Sequence, residues 1–329
     1  MKALRSEWVD GGIRMVDCGE ELDWEECGRL LLKEWPGEGA DWMEVVYRGG
    51  RRTTWRPENA EGGPWNEGES RRLPQGAVIV ATGGLRGITA EAALRLARSY
   101  DGRLHLLSRT VWQEGRVPRE LKHLKDAVEL RRGLIELWRG MGRTVEPGMI
   151  EREVQEIGKQ REIRESMDRL EKAGVKYCCH QVDVRDEKAM KRVLAEIYAQ
   201  EGRIDVVLHG AGVIEDKLLG NKTEEVFDRV YETKVKGARW LEENLRWAEL
   251  NCVVLFSSVS AYVGNRGQTD YAAANACLNA LGGGVAREIR GSGVVAGLEW
   301  LGGGGGRSGD GDGDGGEEIE GFGGGDDRS

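Results

Sequence analysis

Hydrophobic and polar positions follow two periods that alternate along most of the chain. Residues 77–81 are a short apolar, β-branched run with no polar interruption, which predicts a strand buried on both faces. Thr82, Gly83, Gly84 and Gly87 break that run, and Ala92, Ala93, Leu94, Leu96 and Ala97 then supply an apolar stripe at helical spacing. Five further strand-like runs follow: residues 103–107, VKYCCHQVDV ending at Asp183-Val184, RIDVVLH, NCVVLFSS and VVAGLEW. Helical stretches at 187–201, 224–245 and TDYAAANACLNAL separate the later ones. Six strand-like segments with helices between them predict the α/β class: a doubly wound parallel sheet with its site at the carboxyl ends of the strands.

Three stretches fall outside this alternation. Residues 1–72 form a small region of their own. In it, 21–35 has helical character with Leu22, Cys27, Leu30 and Leu31 as its buried stripe. MEVVYRGGRRTTW reads as a hairpin joined at Gly49-Gly50, and 58–70 as a linker. Residues 111–173 are a highly charged helical insertion, with Ile150, Val154, Ile157, Ile163, Met167 and Leu170 at three- and four-residue steps and a break at Pro147-Gly148. Residues 302–329 collapse into Gly, Asp and Glu and read as a disordered tail. The core domain is thus expected at 73–301.

Composition narrows the partners. The net charge of −9 sits mostly in the tail, with its eight acidic and two basic residues, so no basic footprint for nucleic acid remains. The start, MKALRSEWVD, has no signal-peptide apolar run and no segment has transmembrane length, which points to a cytoplasmic protein. Cys18, Cys27, Cys178, Cys179, Cys252 and Cys277 show no metal-ligand spacing and read as free thiols. DGDGDGG invites a calcium loop starting at Asp310, but its twelfth position is Gly321 and no helix flanks it. No metal is expected.

Strand, glycine turn and helix together aim helix-N-terminal N–H groups at a pyrophosphate. The second strand ends in Ser108-Arg109, where a dinucleotide fold tests the adenosine ribose; an Arg there favours a 2′-phosphate. Ketone reduction needs a proton donor for the forming alkoxide and groups that hold the carbonyl oxygen. A Tyr needs a nearby cation to act as that donor. Ser258 at a strand end, Tyr271 and Asn275 four apart on one helix, and Lys234 on the preceding long helix could meet these needs, although each alone reads as ordinary: a capping Ser, a core-edge Tyr, a helix Asn and a surface Lys.

TGGLRGIT, LLSR, VDV, HGAG, SS and YAAAN occur here in the order and spacing of the short-chain dehydrogenase/reductase (SDR) superfamily. More narrowly, residues 77–300 resemble the ketoreductase domain of polyketide and polyunsaturated-fatty-acid synthases of the iterative type, in which the Lys and Asn have exchanged places relative to Tyr-x-x-x-Lys. The resemblance implies a Rossmann fold of SDR type and reduction, by NADPH, of a β-ketoacyl thioester carried on an acyl carrier protein, with other synthase domains as partners. It implies that Tyr271 protonates the carbonyl oxygen, Ser258 hydrogen-bonds it, Lys234 lowers the Tyr pKa and Asn275 supports the proton relay. It further implies that Thr82, Gly83, Gly84, Arg86, Gly87 and Ile88 form the pyrophosphate turn. Ser108 and Arg109 would meet the 2′-phosphate, Asp183 and Val184 the adenine, and Gly210, Ala211 and Gly212 the length of the cofactor. Val213-Ile214-Glu215-Asp216 is near the Leu-Asp-Asp pattern of reductases giving the 3R alcohol. The N-terminal region resembles the end of a non-catalytic structural half that braces such domains. Two departures stand out: Thr89 replaces a further turn glycine, and Glu299-Trp300-Leu301 runs into polyglycine where the family has substrate-lid helices, as though the domain were truncated. Two alternatives follow, a non-catalytic cofactor-binding scaffold and a free-standing reductase of small carbonyls.

Overall fold

The structure is a computed structural model that describes residues 2–7, 15–19, 21–34, 44–54, 73–288 and 294–300. Its centre is a six-stranded, all-parallel sheet of β4 (Val78–Thr82), β5 (Arg103–Ser108), β6 (Lys176–Gln181), β7 (Val206–His209), β8 (Cys252–Ser258) and β9 (Val294–Trp300), in the order β6-β5-β4-β7-β8-β9. All five residues of β4 are buried, as an unbroken apolar run requires when helices cover both faces. The strand alternation sends Val78, Val80 and Leu107 to one face, against Met190, Leu194 and Ile197 of α6 (Glu187–Glu201) and Leu241 of α7 (Glu224–Asn244). Ile79, Ala81, Leu104 and Leu106 go to the other face, against Ala93, Leu94 and Ala97 of α3 (Gly87–Ser99). The chain reverses direction across the sheet between β4 and β7, and the strand ends at that switch leave a crevice.

The insertion between β5 and β6 folds into α4 (Ala127–Gly140) and α5 (Pro147–Lys172). Pro147 opens α5 at a position where its missing N–H costs nothing. The first half of α5 buries Ile150, Val154 and Ile157 against Leu130, Leu134 and Trp138 in a small core of the insertion's own. Its second half puts Ile163 and Leu170 into the main core. The insertion is therefore a rigid outgrowth of the sheet.

The N-terminal region holds α1 (Lys2–Glu7) and a three-stranded sheet of β1 (Met15–Cys18), β2 (Glu44–Arg48) and β3 (Arg51–Thr54), with α2 (Trp24–Glu34) between β1 and β2. The expected hairpin is present, and Gly49 and Gly50 turn it with φ of 55° and 70°. The expected stripe of α2 is corrected: Leu31 is exposed, and the helix instead buries Glu34. That carboxylate accepts from the Tyr47 hydroxyl at 2.6 Å and from Arg52 at 2.5 and 3.0 Å, so its burial is compensated. Linker 58–70 and tail 302–329 lie outside the described residues, and among the described residues no helix is long and apolar enough to cross a membrane.

Candidate active site

The crevice at the switch point is a cleft of about 430 Å³. Gly83, at φ +70°, starts its floor: a Cβ there would stand 2.9 Å from Gly210 O and Ala211 N, so only glycine lets the β4 turn lie against the β7 turn. α3 begins at Gly87 with no side-chain cap, which leaves the first N–H groups of the helix facing the cleft. That is an anion site built of backbone. Thr89 occupies the position of the expected further glycine, and Gly210 makes room for it, since a Cβ on Gly210 would run into the Thr89 hydroxyl.

Arg86, Gly87, Ile88, Ser108, Arg109, Asp183, Val184, Gly210, Ala211 and Gly212 all line the cleft, as the sequence pattern expects. Gly84 and Thr82 do not. A Cβ on Gly84 would meet Ala81 Cβ at 2.8 Å, so Gly84 serves helix-on-sheet packing. Thr82 is fully buried: its hydroxyl accepts from Ala211 N at 3.2 Å and lies 2.7 Å from His209 Nδ1. His209 Nε2 in turn donates to the Lys234 carbonyl at 2.9 Å. This chain of contacts ties β4, β7 and α7 together beneath the cleft. Burial pushes the His209 pKa down to about 4, so its ring is neutral, accepting on Nδ1 and donating on Nε2. His209 stands first in HGAG, and its role was open to inference only through that motif.

Asp183 lies just past the end of β6 rather than within the strand. Arg185 holds it at 2.7 Å and keeps its carboxyl below the usual range. Arg86 pairs at 3.3 Å with Glu162 of α5, so the insertion contributes a wall of the cleft. The exposed Arg109 guanidinium stands at the end of β5, with no acidic residue beside it in the chain.

At the other end of the cleft the four expected polar residues converge. Lys234 on α7 is buried, donates from Nζ to Phe256 O at 2.6 Å, and stands 5.6 Å from the centre of the Tyr271 ring. Loss of water lowers its pKa to about 8. Tyr271, in the first turn of α9 (Thr269–Glu288), lines the cleft. Burial raises its pKa, and hydrogen bonding to Asn275 and Ser258 works against that rise. The Ser258 oxygen accepts from Ser260 N at 3.2 Å and Ser260 Oγ at 3.0 Å, which leaves its own proton to donate to the Tyr271 hydroxyl. Asn275 donates to the Tyr271 carbonyl at 2.7 Å, and its buried Oδ1 has no partner among the described residues. Ser258 and Asn275 thus lie behind Tyr271 rather than on the cleft wall.

Two supports were invisible in the sequence because they join distant segments. Asp270 accepts from Tyr271 N at 2.8 Å and pairs at 2.6 Å with Lys222, both side chains being 1% exposed. Lys222 also donates to Glu215 O and Gly267 O, each at 3.1 Å. Glu7 of α1 accepts from Leu219 N at 2.5 Å and Gly267 N at 2.9 Å, so the N-terminal region reaches the same loops.

The strand order and this cleft define a dinucleotide-binding α/β fold of the SDR kind. Within it, residues 76–296 match the KR domain family, and the chain belongs to that family. Over 305 residues it is 30% identical to one component of the polyunsaturated fatty acid synthase of Thraustochytrium sp., covering 89% of this chain and 10% of that protein. Over 114 residues it is 40% identical to the polyketide synthase GfsA of Streptomyces halstedii, covering 35% of this chain and 2% of that protein. The chain therefore spans a tenth or less of these relatives. Among solved structures, a ketoreductase from the first module of phoslactomycin biosynthesis in a Streptomyces species superposes with a TM-score of 0.63 at 25% identity, covering 93% of this chain and 59% of that one. A ketoreductase domain from the bacillaene assembly line shares the fold, with a TM-score of 0.64 at 21% identity and coverage of 91% and 60%.

Proposed function

We propose that this chain reduces β-ketoacyl thioesters, delivered on an acyl carrier protein, to β-hydroxyacyl thioesters with NADPH, as the ketoreductase part of a multidomain synthase. The observation that carries the reading is the meeting of Tyr271, Lys234 and Ser258 at the end of a cleft whose opposite end is an uncapped helix N-terminus. The cofactor fits the residues present: a glycine cradle, free N–H groups at Gly87 to Thr89, and an exposed Arg109 for the 2′-phosphate. Bound NADPH supplies the hydride. Tyr271 donates its proton to the carbonyl oxygen, and Ser258, hydrogen-bonded to Tyr271 from behind, turns its hydroxyl proton to the same oxygen when substrate arrives. The Lys234 ammonium steadies the phenolate that Tyr271 leaves behind, and Asn275, hydrogen-bonded to the Tyr271 carbonyl, supports the relay that returns a proton to Tyr271. Exposed Ile214 and Leu218, on the loop after β7, and Val263, at the end of the short helix Ser260–Val263 after β8, offer an apolar rim to an acyl chain.

The same reading divides the chain into a bracing region to about residue 72, the reductase domain at 73–301 with its insertion at 111–173, and a tail from 302. Turnover of a β-ketobutyryl N-acetylcysteamine thioester tests it. Hydroxyacyl product equal in amount to the NADPH consumed supports the reading, with NADPH preferred over NADH at least about tenfold. Cofactor binding without any product would transfer support to a non-catalytic scaffold.

A further inference from the structure

We propose that His105, Cys178 and His180 form a binding site for a zinc-class divalent cation that fastens the edge strand β6 to β5. Cys178 and His180 are two apart on β6 and so project from one face of it. The parallel register sets Cys178 directly beside His105. One nitrogen or sulfur from each of the three lies within 4.8 Å of the others. Tetrahedral zinc holds such ligand atoms about 3.3–3.7 Å apart. Binding an ion therefore draws the three ligand atoms together by up to about 1 Å.

His105 Nδ1 and His180 Nε2 already stand 3.0 Å apart. Behind them, the His105 Nε2 faces Glu201 Oε1 of α6 at 3.4 Å, and the buried Glu201 is held by Arg103 at 2.7 Å. A carboxylate behind a histidine fixes the proton on the far ring nitrogen and leaves the near lone pair for an ion. The donor set decides the class of ion: two imidazoles and a thiolate suit zinc, whereas magnesium and calcium take oxygen ligands. Cys178 is exposed, so an ion enters from solvent and keeps a fourth position for water.

None of the three residues lines the reductive cleft, so the site is separate from it. Its placement gives it a structural consequence. β5 leads into the helical insertion and β6 leads out of it, so an ion here clamps the base of that insertion. It also secures one of the two edge strands of the described sheet, where an unpaired edge invites mispairing. The cysteine pattern along the sequence does not display the site, because one ligand comes from β5 and two from β6.

Cobalt(II) titration of the full chain tests the proposal. The expected result is a one-to-one spectrum with thiolate-to-cobalt charge transfer and tetrahedral d–d bands, displaced by zinc, together with a zinc-dependent rise in Tm. Cys178→Ser and His180→Gln should each retain the far-ultraviolet circular dichroism of the parent and lose at least about tenfold in cobalt affinity. Cys18 and Cys27 lie side by side in the N-terminal region, so Cys18→Ser/Cys27→Ser is the control and should leave the spectrum intact. No bands with the parent chain would overturn the site. Bands that survive in Cys178→Ser but vanish in the control variant would overturn it too.

Discussion

Lys234 loses its water on burial, and its pKa falls to about 8 while that of Tyr271 rises. The two shifts act in opposite directions on an alkaline titration. A raised Tyr271 pKa keeps the proton donor loaded as pH increases, whereas a lowered Lys234 pKa brings the loss of the cation into the working range. The turnover rate at saturating cofactor is therefore expected to be level near neutrality and to decline as pH rises through about 8. Lys234→Met should lower the rate at least about a hundredfold and abolish that decline. A rate that stays level through the alkaline range would show that the cation is not needed. The Thr89 and Gly210 pair gives a second residue-level test. Gly210→Ala should lower cofactor affinity and stability because its methyl meets Thr89, and Thr89→Gly in the same chain should restore both, as read by cofactor fluorescence and Tm.

At the scale of elements, the site depends on how loops and helix ends are tied down. The buried Lys222–Asp270 pair joins the loop after β7 to the residue before Tyr271. Lys222→Met leaves the Asp270 charge buried and unpaired and should cost about 3 kcal/mol in chemical denaturation. Lys222→Met/Asp270→Leu should recover much of that stability, yet turn over more slowly than the parent because Tyr271 N has lost its acceptor. His209 binds β4 to α7 and has a lowered pKa, so the unfolded chain takes up a proton that the folded chain refuses. Stability should fall as pH drops from about 6.5 towards about 4. His209→Gln, which keeps a neutral side chain, should flatten that slope in acid unfolding curves.

These ties also explain what the sequence disclosed. Apolar runs and glycine breaks locate interior strands such as β4 and β7, because parallel strands buried on both faces carry unmixed apolar residues, whereas the edge strand β6 is mixed and partly exposed. Tyr271, Ser258, Lys234 and Asn275 were legible because together they match the pattern of the family the chain resembles; taken singly, none stands out from an ordinary strand-end or helix residue. Asp270 with Lys222, Glu7 with Gly267, and His105 with Cys178 are pairings across distant parts of the chain, and no local period reports them. Leu31 misled for a different reason: α2 belongs to a small sheet where a compensated Glu34 takes the interior.

At the scale of the whole molecule, three parts converge on one cleft. The parallel sheet supplies its floor, the insertion adds Glu162 to its wall, and α1 reaches the Leu219 and Gly267 loops through Glu7. In the proposed reaction the polar cluster at the end of this cleft transfers a proton to the carbonyl oxygen as the carbonyl is reduced. The most direct measurement compares NADPH consumption on a β-ketoacyl thioester by the full chain and by Tyr271→Phe, with cofactor binding followed by fluorescence in both. Equal NADPH binding and at least about a hundredfold slower turnover in Tyr271→Phe are expected. Equal turnover by the two chains would contradict the proposed reaction, since the proton would then come from a group other than Tyr271.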